Sequence, residues 1–300
     1  MSLAIVGSVA FDTLYTPEGT KEKIMGGSAV YAAIAASHFT NPSIVGVVGD
    51  DYHASKIELL QSRGIDTSDI QQEVGKTFHW IGSYLEDINV ARTVETEIGV
   101  LGDFHPKLNA QNAGRQTLFL ANNDPDSQLA AIEQSSASRI AVDTMNLWLT
   151  LKKDTVKEVV RRSHVLFIND AELRVLGDHY NLIQAAKNVM DWAPSLDVLV
   201  LKRGEHGASL FRRDGLYLNA GAVPLSLVKD PTGAGDSFAG SFLGVMTDKD
   251  WTAENIKYAL LIGSVTASFT VQEFGPESLL GTNAEKIALR LQELIKYFPL

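Results

Sequence analysis

Asp230-Pro-Thr-Gly-Ala-Gly-Asp-Ser-Phe-Ala-Gly-Ser-Phe-Leu-Gly244 is the stretch on which the reading of this chain turns. Pro231 biases Asp230 toward extended backbone and disfavours a helix through that point. Gly233 and Gly235 permit a tight turn that brings the backbone close to a ligand. From Ser237 onward, Phe238, Phe242, Leu243 and Met246 recur at helical spacing. The pattern is therefore extended segment, glycine turn and helix start, with Asp236 at the mouth of the helix. Free N–H groups and the helix dipole favour an anion such as a phosphate there. A carboxylate among such amides can accept the proton of a hydroxyl that attacks the phosphate. The residues alone also allow a plainer turn, with Asp236 only a favourable dipole partner. A P-loop would need Gly-Lys-Ser/Thr after the glycines, where this chain has Asp236. A dinucleotide fingerprint belongs early in a βαβ unit with an acid about 20 residues later, and this turn lies late in the chain.

Around this turn the chain alternates. Leu3–Val9, Ser43–Val48, Thr117–Ala121, Arg139–Asp143, Val165–Ile168 and Val198–Lys202 are short apolar runs suited to buried strands. Helices are expected over Ala29–Phe39 and His53–Arg63, and around Leu129, Val156, Ala171 and Ala185. Such alternation predicts an α/β fold with a parallel sheet covered on both faces. Asp214-Gly215 marks a two-residue hairpin, and Ala284–Tyr297 reads as a closing amphipathic helix. Two β-rich insertions, at about 11–27 and 76–103, interrupt the alternation. With no repeat, low-complexity tract or linker, one domain over 1–300 is expected.

Composition narrows the partners. The 300 residues carry 26 Lys and Arg against 36 Asp and Glu, a net charge of −10. That balance argues against nucleic acid polymers and anionic membranes but leaves a small anionic ligand open. No apolar run approaches a membrane span, and the start lacks the basic region of a signal peptide. With no cysteine, neither a disulfide framework nor a thiolate metal site is available, which fits a cytoplasmic protein. The seven histidines form no His-x-x-x-His pair.

Other residues fall where open α/β sheets bind ligands, beyond the carboxyl ends of strands. Asp12 follows the first strand and suits either a turn or a pair of sugar hydroxyls. Gly26-Gly27-Ser28 opens a helix and lets backbone approach a ligand or simply relaxes a turn. Asn169-Asp-Ala-Glu172 reads most plainly as a capping box. Lys202-Arg-Gly-Glu-His-Gly207 is a strand end and turn whose basic groups could meet phosphate or water. Asp143-Thr-Met-Asn146 ends another strand at the same edge.

The 230–244 stretch resembles the second signature of the PfkB/ribokinase family of carbohydrate and nucleoside kinases, Asp-x-x-Gly-Ala-Gly-Asp before a small-residue helix. Gly26-Gly27 and Asn169-x-x-Glu172 stand in the family's order and spacing, so the resemblance covers nearly the whole chain. It implies a ribokinase-like three-layer αβα sandwich, with the two insertions forming a small β lid. It also implies transfer of the γ-phosphoryl of ATP to a hydroxymethyl group of a sugar or sugar-like molecule. In that reading Asp236 is the base, and Gly233, Ala234 and Gly235 form the anion hole. Asp12, Gly26, Gly27, Ser28, Tyr31 and Asn146 meet the acceptor. Asn169, Glu172, Lys202, Gly204, Gly207 and Thr232 lie near the nucleotide, with Glu172 holding Mg²⁺ through water. Asp230, Thr232 and Ser278 would take a monovalent cation such as K⁺. Many relatives carry Asn shortly after the glycine pair, where this chain has Val30, Tyr31 and Ala32. A sugar-type acceptor is expected. The lid aromatics Phe78, Trp80 and Tyr84 leave a nucleoside as the alternative, and a non-catalytic sensor is the rival of another class. Pairing of two lids would give a homodimer.

Overall fold

The computed structural model describes residues 3–297; the Met1-Ser2 start and the last three positions of the expected 1–300 span lie outside the described residues. In chain order the strands are β1 (Leu3–Val6), β2 (Ala10–Thr16), β3 (Gly19–Gly26), β4 (Ser43–Val48), β5 (Asp66–Gln72), β6 (His79–Ser83), β7 (Arg92–Glu97), β8 (Thr117–Leu120), β9 (Arg139–Asp143), β10 (Val165–Asn169), β11 (Val198–Lys202), β12 (Ala208–Arg212) and β13 (Tyr217–Ala220). Nine of them form one sheet in the order β13-β12-β11-β10-β9-β8-β1-β4-β5. All its pairs are parallel except those at the β12–β13 edge.

Alternation of side chains across these strands builds two cores. Leu3, Ile5, Phe119, Ala141, Val165, Phe167, Val198 and Val200 face one way, toward the helices Ser28–Ala36, Ala234–Met246 and Ala253–Thr270. Ala4, Val6, Leu118, Leu120, Val142, Leu166, Ile168 and Leu199 face the other way, toward the helices Pro125–Gln134, Lys153–Arg161 and Leu182–Trp192. A strand buried on both faces has no polar face to show, which is why these runs are continuously apolar. All nine residues of the helix Ser28–Ala36 are buried, because the sheet lies on one side and the helix Ala234–Met246 packs along it. Among the described residues no helix is long and apolar enough to cross a membrane.

The two insertions pair into a second sheet, β3-β2-β6-β7. Its centre is a parallel β2–β6 pair, in which Asp12 stands opposite Trp80. Within the 76–103 insertion only His79–Ser83 and Arg92–Glu97 are strands, and Gly99–Asp103 turns into a 3-10 helix. Strand β5 went unread in the sequence. Asp-Thr-Ser-Asp-Ile-Gln-Gln has no apolar alternation, and pairing with β4 at the sheet edge is what makes it a strand.

Candidate active site

The carboxyl ends of β9, β10 and β11 bring Asp143, Asn169 and Lys202 side by side. The 230–236 turn and the lid complete the cleft above them. Gly233 adopts the left-handed conformation at φ 74° and caps the helix Ala234–Met246. Its backbone lies on the ring of Tyr31: a Cβ placed there would stand 2.3 Å from the ring carbons. Among the described residues the amides of Gly233 and Gly235 have no protein acceptor. The Ala234 amide turns back to the Pro231 carbonyl at 3.2 Å. Two open N–H groups, rather than the expected three, therefore stand at the helix start.

Asp236 sits in the first turn of that helix. Burial, then the nearby Asp143 charge, pushes its carboxyl up to about 7, while Lys202 pulls the other way. A carboxylate with that pKa is suited to take a proton near neutrality. Lys202 does not lie in solvent, as the surface alternative for its segment would have it. Its ammonium is 2.5 Å from Asp143 Oδ2. Burial alone would lower Lys202, but Asp143, Glu172 and Asp236 hold its pKa above the ordinary lysine value.

Asp12 comes from β2 of the lid and is buried. No protein donor among the described residues reaches its carboxylate. Burial, reinforced by Asp230 and Asp236, raises its pKa well above the usual range. The carboxyl lies against Gly26, where a Cβ would come within 1.9 Å of Oδ2; the glycine is there to leave space. Gly26→Ala should displace Asp12 and raise the acceptor KM by about tenfold or more, with the ATP KM nearly unchanged. Steady-state kinetics with each substrate varied checks this, and an unchanged acceptor KM would separate Asp12 from acceptor binding.

Gly27, at φ 102°, starts the helix Ser28–Ala36. The Ser28 hydroxyl is committed elsewhere: it donates to the Asn122 carbonyl at 2.8 Å, accepts the Ser8 amide at 3.1 Å and meets Ser8 Oγ at 3.1 Å. It ties helix, β1 end and β8 end together. Tyr31 is buried to 1% exposure, and its hydroxyl has no hydrogen-bond partner among the described residues. It is ring support for the glycine turn, with a free polar tip near Asp12, Asp230 and Tyr84. Asn146 begins a short helix after β9 and is exposed.

Asn169 and Glu172 form a full capping box: Asn169 Oδ1 accepts the Glu172 amide at 2.8 Å, and Glu172 Oε2 accepts the Asn169 amide at 3.0 Å. The second oxygen of Glu172 accepts no bond among the described residues. Burial raises this carboxyl to about 7, opposed by Lys202 and aided by Asp143. A fixed carboxylate with one open oxygen beside an ammonium fits a hydrated Mg²⁺, which keeps most of its waters.

Asp230 is fully buried and accepts the Thr232 amide and the Gly275 amide, each at 2.9 Å. Burial still raises its pKa despite those bonds. Ser278 makes no hydrogen bond to either. It lines a surface groove with Gln272, Thr282 and Arg290. The residue that reaches Asp230 from the 274–276 turn is Gly275, which no side-chain pattern could reveal. Gly204 and Gly207, at φ 54° and 80°, turn the chain between β11 and β12.

The lid touches both halves of the cleft. Tyr84 Oη is 3.1 Å from Thr232 Oγ1, and at the lid tip Asn89 Oδ1 lies 3.5 Å from where a Cβ on Gly204 would stand. The lid links were not assigned from sequence, where Tyr84 carried a signal only as an aromatic in the lid; Asp143 was read there only as the start of a strand-end segment at the ligand edge.

A buried carboxylate in a helix's first turn, beside two open amides and an ammonium, is an arrangement for phosphoryl transfer. The family model for pfkB carbohydrate kinases matches residues 2–283. The chain belongs to that family. It is an ATP-dependent phosphotransferase with a sugar or sugar-like alcohol as acceptor. A cytidine kinase of Thermococcus kodakarensis is 28% identical over 250 residues, covering 81% of this chain and 87% of that relative. A nucleoside kinase of Methanocaldococcus jannaschii is 23% identical, covering 97% of each chain. In fold, the chain is similar to the Burkholderia thailandensis nucleoside kinase in complex with ADP-inosine, with a TM-score of 0.79 at 18% identity, covering 98% of this chain and 96% of that one. It is likewise similar to a putative ribokinase II from E. coli in complex with ATP and Mg²⁺, with a TM-score of 0.79 at 16% identity over 97% and 99% of the two chains. The ribokinase-like fold expected from the sequence is the fold observed.

Proposed function

We propose that this pfkB kinase phosphorylates the hydroxymethyl group of a nucleoside, the alternative rather than the favoured acceptor of the sequence reading. One observation carries this: Trp80 stands beside Asp12 on the same face of the lid. Partners in register share a face, and Asp12 pairs with Trp80 across β2–β6. The indole N–H is already satisfied by Thr93 Oγ1 at 3.0 Å, and the ring lies over Gly82, where a Cβ would collide with it. An oriented, half-buried indole offers a flat face to a base, while the neighbouring carboxylate takes ribose hydroxyls. Stacking of this kind is worth about 1–3 kcal/mol per base. The names of the cytidine and nucleoside kinase relatives agree with this reading.

In the reaction, Asp12 and the lid orient the alcohol, and Asp236 accepts its proton. The amides of Gly233 and Gly235 stabilise charge on the moving phosphoryl. When bound, Mg²⁺ neutralises phosphate charge; Glu172 is the residue placed to hold its waters. The closed lid excludes water, a competing acceptor. The same reading keeps a monovalent-cation effect at the Asp230–Thr232 turn, a lid-to-lid homodimer and a cytoplasmic location.

The test is ADP release across nucleosides, free sugars, sugar phosphates and inositols, with K⁺ or Na⁺. Turnover with nucleosides, and a KM raised about tenfold by Trp80→Ala, is expected. Turnover with free sugars and none with nucleosides would overturn the nucleoside reading, and no turnover with any acceptor would favour the sensor.

A further inference from the structure

We propose that Lys202 is a catalytic residue, an ammonium that hydrogen-bonds the transferring phosphoryl from beside Gly235 while Asp143 holds it in place. The inference rests on phosphoryl transfer at this site and not on which alcohol accepts.

Three observations carry it. First, position: a Cβ placed on Gly235 would stand 3.0 Å from Lys202 Nζ, so the ammonium abuts the turn whose amides open toward the anion. Alanine in place of Gly235 would press directly on that nitrogen. Second, valence: among the described residues Nζ donates to Asp143 Oδ2 alone, and an ammonium has three protons to give. Two remain for an incoming oxygen. Third, asymmetry of the pair. Asp143 is fixed, since its Oδ1 takes the Thr144 amide at 2.9 Å and its carbonyl takes Gln128 Nε2 at 3.1 Å. Lysine's four-carbon stem is the adjustable partner.

Energetics point the same way. The side chains of Lys202 and Asp143 are 17% and 3% exposed. Burying such a pair is weak as a source of stability, and apolar residues of like volume often do as well. The charge environment supplies a reason to keep it. Asp12, Asp143, Glu172, Asp230 and Asp236 all belong to this cleft, and the electrostatic partners of Asp236 and Glu172 include one cation, Lys202. A polyanionic nucleotide entering a cleft walled by carboxylates needs a positive group fixed in the protein.

In the step itself, the acceptor O–H gives its proton to the Asp236 carboxylate and the acceptor oxygen bonds to the γ-phosphorus. The bond from that phosphorus to the β,γ-bridging oxygen breaks, and its electron pair leaves with ADP. Lys202 donates N–H to a non-bridging γ-oxygen throughout and neither gains nor loses a proton.

The experiment compares wild type, Lys202→Met, Asp143→Asn and the double variant, by kcat and by thermal stabilisation with ADP plus aluminium fluoride, a mimic of the moving phosphoryl. Lys202→Met should lower kcat by about 10²–10³-fold and lose the extra stabilisation given by aluminium fluoride, while stabilisation by ADP alone persists. The double variant removes both members of the ion pair, so neither is left buried without the other, and it should recover folding stability but not rate. Recovery of the rate to within about threefold of wild type in the double variant would make the pair structural and overturn the proposal. So would an undiminished aluminium fluoride response in Lys202→Met. A wild type that neither turns over nor responds to the analogue overturns the transfer reading, and the role of Lys202 with it.

Discussion

Asp236→Asn is expected to lower kcat by about 10²–10⁴-fold, the range for loss of a positioned general base, while ATP still binds. Asparagine keeps the shape at the start of the helix but cannot accept the proton. The pH dependence follows from the same carboxyl. Because burial and Asp143 push Asp236 up to about 7, the wild-type kcat/KM should climb as pH rises through about 7 and then level off. Stability runs the other way. A carboxyl whose folded pKa lies above its unfolded value stabilises the fold in full below the unfolded value near 3.8. That contribution is lost as pH rises through about 7. Asp236→Asn removes the need to ionise a buried group. It should melt above wild type at pH 8, with the gap closing toward pH 5. Calorimetric melting across that range, with ATP titration at pH 8, checks both halves. Undiminished turnover would remove Asp236 from the chemistry. A melting temperature below wild type at pH 8 would show that its charge is accommodated rather than strained.

The opposition of those two profiles explains part of what a sequence can and cannot show. The glycine turn, the capping box and the buried parallel strands are local patterns, so a linear reading reaches them: Asn169 and Glu172 are three residues apart, and Gly233 precedes its own helix. The environment that shifts Asp236 is not local. Asp143 and Lys202 come from two other strands, and their approach depends on sheet order, which nothing in either segment encodes. The residues of Lys-Arg-Gly-Glu-His alone leave Lys202 open between phosphate and water, because its exposed neighbours dominate the window. Strand β5 was invisible for a related reason: its polar residues become a strand only through pairing with β4. The Gly275 contact to Asp230 is made by a backbone amide, and amides leave no mark on composition. Tyr31 is the instructive middle case. Its departure from the family's Asn was visible. Its work as a floor beneath Gly233 required the fold.

That floor makes the second large prediction. Gly233→Ala should destabilise the protein by about 2–4 kcal/mol and cost at least about 10²-fold in kcat, because two independent penalties meet at one atom. The backbone at φ 74° is left-handed, which an L side chain adopts at about 1–2 kcal/mol. The added Cβ also overlaps the Tyr31 ring at 2.3 Å. The ring has little room to yield: it is 1% exposed and belongs to a helix whose nine residues are all buried. Relief must come from the turn, which would carry the open amides of Gly233 and Gly235 away from the phosphoryl. A displacement near 1 Å is enough for a loss of order 10²-fold. Urea unfolding and steady-state kinetics on Gly233→Ala and on Gly233→Ala/Tyr31→Leu separate the two penalties. The smaller side chain should return the packing share of the stability and leave the backbone share. If Gly233→Ala alone unfolds like wild type, the ring does not support the turn, and the anion hole must be held from the helix side only.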